Sequence, residues 1–192
     1  MIASAKVAVR MSIRDFLDWE SGDGLRYELV DGEPRAMAPA SNAHGLLQSE
    51  LSRRIGNHLL EHRAGCKVVI EPGVIPRLMS AHNFRVPDLG VTCSPIPLGQ
   101  TVMPEPVLLI EILSPCNQAK TWSNVWAYTS IPSVQEILVL ETTQIAADLL
   151  RRSPDGAWPE QTAEVRNGTL TLASIGLEIP LDQLYSVAGL SF

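Results

Sequence analysis

Two acids stand in stretches that otherwise read as buried strand. "FRVPDLGVTC" runs from Phe84 to Cys93 and holds Asp88; "PVLLIEILSP" runs from Pro106 to Pro115 and holds Glu111. A lone carboxylate in such surroundings is costly unless something compensates it. Asp88 opens one strand and Glu111 lies inside the next, so pairing of the strands would turn both side chains to one face. Two close carboxylates repel and raise one another's pKa. A divalent cation resolves the conflict. Mg²⁺ takes oxygen ligands and keeps several waters for a phosphate group; it polarises a phosphoryl oxygen and generates a hydroxide nucleophile. Each acid alone also has a plainer account. Asp88 can be a turn or strand-edge residue after Pro87, and Glu111 can pair with an arginine such as Arg85. Taken together they favour the metal site, because uncompensated acids in apolar strands mark functional sites.

The elements that must position these acids follow from the pattern. "SIRDFLDW" reads as a short helix, with Ser12 and Asp15 as a capping box. "RYELVDGEPRAM" reads as a β-hairpin turning at Asp31-Gly32. A long helix is predicted from His44 to His62, capped by Ser41 or Asn42, with Leu47, Leu51, Ile55 and Leu59 at helical spacing. "KVVIEPGVIPRL" gives one or two short strands broken at Pro72-Gly73. "DLGVT" and "VLLIEIL" are strands, the second central. "TWSNVWAYTS" is a helix from Thr121 whose apolar side is Trp122, Val125 and Trp126, and "QEILVLET" is a further strand. Strand, helix, strand makes a βαβ unit, so the two strands should be parallel. Closing strands and turns follow, then a short helix over "PLDQLYSVA".

Composition narrows the function classes. The chain has 192 residues, 45% hydrophobic and 19% charged, which suits one domain with a sizeable core. No apolar run is long enough to span a bilayer, and "MIASAKVAVRMS" lacks a signal peptide's apolar stretch, so a cytoplasmic location is the default. The formal net charge of −6 argues against a nucleic-acid coat held by bulk charge, but not against an acidic site at which metal ions supply the positive charge. Cys66, Cys93 and Cys116 form no CxxC pair and are expected to be reduced and buried. His58 and His62 sit four apart without an HExxH motif, so helix polarity accounts for them better than zinc.

Pro87-Asp88 followed by Glu111-Ile112-Leu113 on the next strand resembles the PD-(D/E)XK nuclease superfamily. The order and spacing of "YELVDGE", a helix opening with His44, "VPDLGV", "LLIEILSP" and "WAYTSIPSVQEILVL" resemble the Uma-two family of bacterial restriction-endonuclease-like proteins, over roughly Ile13 to Tyr185. The resemblance implies a single α/β domain over 1–192, with a mixed β-sheet flanked by helices and an N-terminal hairpin. It implies a metal site at Asp88 and Glu111; the backbone carbonyl of Ile112, which lies beside Glu111 on the strand, is a candidate for a further ligand. It also implies roles for Glu28, which could otherwise face solvent, and for His44, which could otherwise be a cap neighbour. In the superfamily a lysine follows the glutamate by two positions, where this chain has Leu113. The family often supplies that lysine from the next helix; counting back from Tyr128 gives Asn124 at its place, with Lys120 one turn earlier. Lys120, or more weakly Asn124, would then orient the attacking water. The implied activity is Mg²⁺-dependent hydrolysis of DNA, with Mn²⁺ as a substitute, in a homodimer where both strands are cut. A nucleic-acid-binding protein of the same fold without catalysis, and a partner-binding protein with merely paired acids, stay open.

Overall fold

The structure, a computed structural model, describes residues 10–115 and 117–190. The opening segment read above for a signal peptide lies largely outside these residues, and Cys116 lies outside them altogether. The chain begins with α1 (Ile13–Leu17), closed by the expected capping box: Ser12 Oγ accepts from the Asp15 N–H, and the Asp15 carboxylate returns to Ser12. A hairpin follows, β1 (Tyr27–Val30) with β2 (Glu33–Ala36). Asp31 and Gly32 have φ of 51° and 85°, the paired positive values that a two-residue primed turn requires.

The long helix is α2 (Asn42–His62), two residues earlier than its apolar periodicity suggests. Ser41 is the cap, its hydroxyl accepting from the His44 N–H at 3.2 Å. Next come β3 (Lys67–Ile70), β4 (Leu89–Thr92), β5 (Pro106–Leu113), α3 (Gln118–Tyr128), β6 (Glu136–Glu141), β7 (Ala147–Arg151) and β8 (Ala163–Val165). These strands form one six-stranded sheet in chain order. All neighbours are antiparallel except β5 and β6, which run parallel around α3 as the βαβ reading requires. A second hairpin, β9 (Thr169–Leu172) with β10 (Leu177–Pro180), leads into α4 (Leu181–Val187). The result is a mixed sheet flanked by helices, with an N-terminal hairpin.

Alternation along the strands divides the core. Leu108, Ile110 and Ile112 of β5 join Leu89 and Val91 of β4 against Leu47, Leu51, Ile55 and Leu59 of α2. Leu109 and Leu113 face the other way, against Val125 and Tyr128 of α3. Each such buried aliphatic side chain contributes about 1.5–3 kcal/mol of transfer free energy. Glu111 has the parity of Leu109 and Leu113, so it belongs to the α3 face. A smaller cluster of Phe16, Leu29, Phe84 and Val86 clamps α1 and β1 onto the segment before β4. Leu29 and Phe84 exchange both backbone hydrogen bonds, at 2.8 and 2.9 Å, which brings Glu28 beside residues 85–88.

Three expectations need correction. Cys66 and Cys93 are joined by a disulfide, and Cys93 is exposed. Lys67 pairs with Thr92, so the next position outward sets the two cysteines opposite one another across the end of the β3–β4 ladder. Their separation of 27 residues gives no hint of this in sequence. Second, α3 starts at Gln118, so Lys120 lies inside the helix rather than before it. Third, Trp126 is 47% exposed, and the side α3 buries carries Thr121, Asn124, Val125 and Tyr128. Trp122 is only half-buried. Among the described residues no helix is long and apolar enough to cross a membrane. His58 and His62 stand with ring centres 4.8 Å apart, and His58 Nε2 is engaged by the Ile175 carbonyl at 3.0 Å.

Candidate functional site

Leu89 of β4 pairs with Ile110 of β5, so the next pair in the antiparallel register sets Asp88 opposite Glu111. Directly opposed residues of such a ladder project to the same face. Both acids line one cleft of about 330 Å³, together with Glu28, His44, Ile112, Lys120 and Asn124. Every candidate site residue named from sequence therefore reaches the same space, although they come from five separate segments.

The backbone at Asp88 is fixed on both sides. Its carbonyl accepts from the Glu71 N–H and from Gln48 Nε2, each at 3.0 Å. Its carboxylate is shared: Oδ2 accepts the Ile112 N–H at 2.6 Å, and Oδ1 lies 3.0 Å from His44 Nε2. His44 is buried, with Nδ1 lacking a hydrogen-bond partner among the described residues. A residue of an extended ladder directs its N–H and C=O to the same neighbour. The hydrogen bond from Ile112 to Asp88 thus turns the Ile112 carbonyl toward Asp88 as well.

Glu111 is 7% exposed and accepts a 2.6 Å hydrogen bond from the Tyr128 hydroxyl. Burial pushes its carboxyl well above the usual carboxylate range, and the neighbouring Asp88 and Glu28 carboxylates push the same way against the Tyr128 hydrogen bond. Tyr128, itself fully buried, is raised well above its ordinary value by burial first and by the Glu111 charge second.

Glu28 is fully buried, not solvent-facing. One oxygen accepts from the Val86 N–H at 3.0 Å and from Asn124 Nδ2 at 3.1 Å. The other lies 2.8 Å from Lys120 Nζ, an ion pair by distance whose angles fall short of a hydrogen bond. Lys120, Asn124 and Tyr128 follow one another at intervals of four, so a single stripe of α3 serves two of the three acids. Arg85 completes the buried charge. It does not pair with Glu111 as the plainer reading allowed; it is 4% exposed, with Nε and Nη1 unpartnered among the described residues. Burial lowers its pKa, opposed chiefly by the Glu28 charge. Sequence reasoning set Arg85 against the wrong acid, and missed Gln48 and the Tyr128 hydroxyl as supports.

Among the described residues no group of three or more His, Cys, Asp and Glu side chains forms a ready-made metal cage. The donors still fit a hard divalent cation. Asp88 and Glu111 offer carboxylate oxygens with lone pairs to spare. One of the two acids is destabilised in its charged form by burial and by the other, which is the strain a cation relieves. Mg²⁺ is commonly held by one or two carboxylates with waters completing the shell, and the cleft leaves room for those waters.

The sequence model of a family described as "Uma2: Putative restriction endonuclease" matches residues 13–182. An uncharacterised protein of Synechocystis sp. is 29% identical over 185 residues, which covers 95% of this chain and 94% of that one. A solved structure from Anabaena variabilis ATCC 29413, described as a "putative nuclease", superposes with a TM-score of 0.74 at 19% identity. The match covers 93% of this chain and 99% of that one. At that identity the superposition speaks for the fold.

Proposed function

The chain belongs to the Uma2 family, and we propose that it is a metal-dependent endonuclease hydrolysing phosphodiester bonds in DNA. The observation that carries the reading is the opposition of Asp88 and Glu111 across β4 and β5 at the floor of one cleft. Asp88, Glu111 and the Ile112 carbonyl would hold the ion, with Mg²⁺ as the natural choice and Mn²⁺ as a substitute. Bound there, the cation supplies Lewis-acid stabilisation of the phosphoryl oxygens and a more acidic water.

The protein's own groups do the rest. His44 and the Ile112 N–H hold the Asp88 carboxylate in one orientation. Tyr128 does the same for Glu111. Glu28, itself held by Asn124 and the Val86 N–H, draws Lys120 to the cleft wall, from which its ammonium would steady charge developing on the phosphate. Cutting both strands of a duplex would need two clefts, so the reading carries a homodimer with it, by analogy with proteins of this fold.

One observation favours a second reading. Leu113 stands in the core where the superfamily has its lysine, and Lys120 is already committed to Glu28. A protein that binds nucleic acid without cutting it would show that pattern. Incubating the full chain with labelled single-stranded, duplex and flapped DNA in Mg²⁺, and again in EDTA, separates the two. Cleavage that appears only with metal supports the nuclease. Binding without cleavage under every metal condition selects the second reading.

A further inference from the structure

Beside the cleft lies a shelf: the Trp19 ring is open, backed by the buried Phe16 and the half-buried Tyr27. Trp19 leaves 37% of its surface to solvent, and neighbouring Leu25 leaves 51%. Tyr27 meets Trp19 edge to face with ring centres 4.9 Å apart, and Phe16 stacks on Trp19 at 6.2 Å. The rings are held in place. The Tyr27 hydroxyl donates to Asp23 at 2.6 Å, and the other Asp23 oxygen accepts from Ser21 Oγ at 2.6 Å and the Leu25 N–H at 2.9 Å. Two hollows flank the shelf. One, of about 140 Å³, is lined by Trp19, Phe16, Tyr27 and Leu25, and it shares Leu25 with the cleft. The other, of about 310 Å³, is lined by Phe16, Tyr27 and Phe84, and it shares Arg26, Glu71 and Val86 with the cleft. The shelf thus adjoins the cleft that holds Asp88 and Glu111 across these shared residues.

Charge limits what this surface can take. Asp18, Glu20 and Asp23 flank the rings and are exposed, so a backbone phosphate is repelled there. The arginine and lysine that line the cleft, Arg26 and Lys120, are already paired with Glu71 and Glu28. A chain of net charge −6 with those pairings is poorly equipped to hold a polyanion by phosphate contacts. The face of a ring stacks on any base regardless of charge. In a continuous duplex the base faces are covered by their neighbours; in single strands, flaps and ends they are free.

We propose that the Phe16–Trp19–Tyr27 shelf is a base-stacking subsite for an unpaired nucleobase next to the phosphate in the cleft. The substrate class is then DNA with a single-stranded stretch rather than continuous duplex. The proposal rests on the nuclease reading.

The test is a cycle of binding measurements on the full chain carrying Asp88→Asn, with and without Trp19→Ala. The probes are a labelled single-stranded oligonucleotide, the same phosphate backbone made wholly abasic, and a hairpin duplex of equal length. Trp19→Ala should weaken binding of the ordinary strand on the order of tenfold and leave the abasic strand unchanged. Trp19→Phe should keep most of the binding. The comparison of ordinary, abasic and duplex probes on the protein with Trp19 intact needs no shelf variant, so it stands even if Trp19→Ala fails to fold. The proposal is overturned if the abasic strand or the duplex binds as tightly as the ordinary strand, or if Trp19→Ala acts equally on all three. If the unaltered protein cleaves DNA while these comparisons show no base dependence, the shelf alone fails. If it neither binds nor cleaves any of them, the nuclease reading fails and takes the shelf with it.

Discussion

Glu111 ties the buried chemistry to measurable stability. Its carboxyl is raised by burial and by Asp88, so the folded state holds the proton more tightly than the unfolded chain does. The stability this contributes is full below the ordinary carboxylate range and is lost as pH rises toward the raised value. In metal-free buffer, Glu111→Gln should therefore match the parent at low pH and melt progressively higher than it as pH rises to neutrality. Melting curves from pH 4 to 8 test this; a constant gap would contradict it. Calorimetry should also find Mn²⁺ affinity reduced by at least about tenfold in the same variant. Lys120 is the next residue to test. Removing it strips a fully buried Glu28 of its counter-ion. Because Lys120 is about one-third exposed, the expected loss from Lys120→Ala is roughly 2 kcal/mol, below the range for wholly buried pairs. Glu28→Gln in the same protein should restore part of it in urea titrations. Any cleavage rate should fall on the order of a hundredfold in Lys120→Ala and less in Asn124→Ala. The sequence exposed Asp88 and Glu111 because acids break an apolar pattern. The acid nearest Arg85 and the role of the Tyr128 hydroxyl were hidden, because a residue's partners across the fold leave no mark on its neighbours in the chain.

At the scale of elements, α3 shows how hydrophobicity can mislead. Its two tryptophans suggest a buried stripe, yet Trp126 faces out and the buried side presents Asn124 and Tyr128 to the acids. A helix packed over a polar site buries polar groups where a plain core helix would bury aromatics. Val125→Ala should accordingly cost roughly 2 kcal/mol, since Val125 is fully buried. Trp126→Ala should cost well under about 1 kcal/mol. Equal losses in chemical denaturation would place Trp126 in the core and contradict the orientation of α3. The hairpin, by contrast, was legible in full. Asp31-Gly32 demands positive φ at both positions, and a Cβ on Gly32 would come within 2.5 Å of the Arg10 side chain. The end of α2 at His62 was legible as it stands, whereas its start was read two residues late, although Ser41 was one of the two cap candidates.

The fold of the whole molecule was readable because each strand carried its own pattern and the βαβ unit left β5 and β6 a parallel pairing. The pairing of Cys66 with Cys93 was not, since it depends on the β3–β4 register. A loop of that size closed by a disulfide stabilises by about 3–4 kcal/mol in the chain-entropy account. The urea midpoint of the protein should fall correspondingly on adding a reductant, and Cys93→Ser should show the lowered midpoint without one. An unchanged midpoint would mean that the two sulfurs do not bridge in solution. The same register logic that hid the cysteines also sets Asp88 opposite Glu111, so the site depends on the sheet as a whole and not on either strand alone.

The most direct measurement is single-turnover cleavage of DNA bearing a single-stranded stretch, in Mn²⁺, by the unaltered chain and by Asp88→Asn. That substitution keeps the shape and the acceptor toward Ile112 while removing one charge. The account predicts metal-dependent cleavage by the first and a rate lower by a hundredfold or more, on the order expected for losing a key electrostatic group, in the second. Equal rates in the two proteins, or no cleavage by the unaltered chain in Mg²⁺ or Mn²⁺, would contradict it.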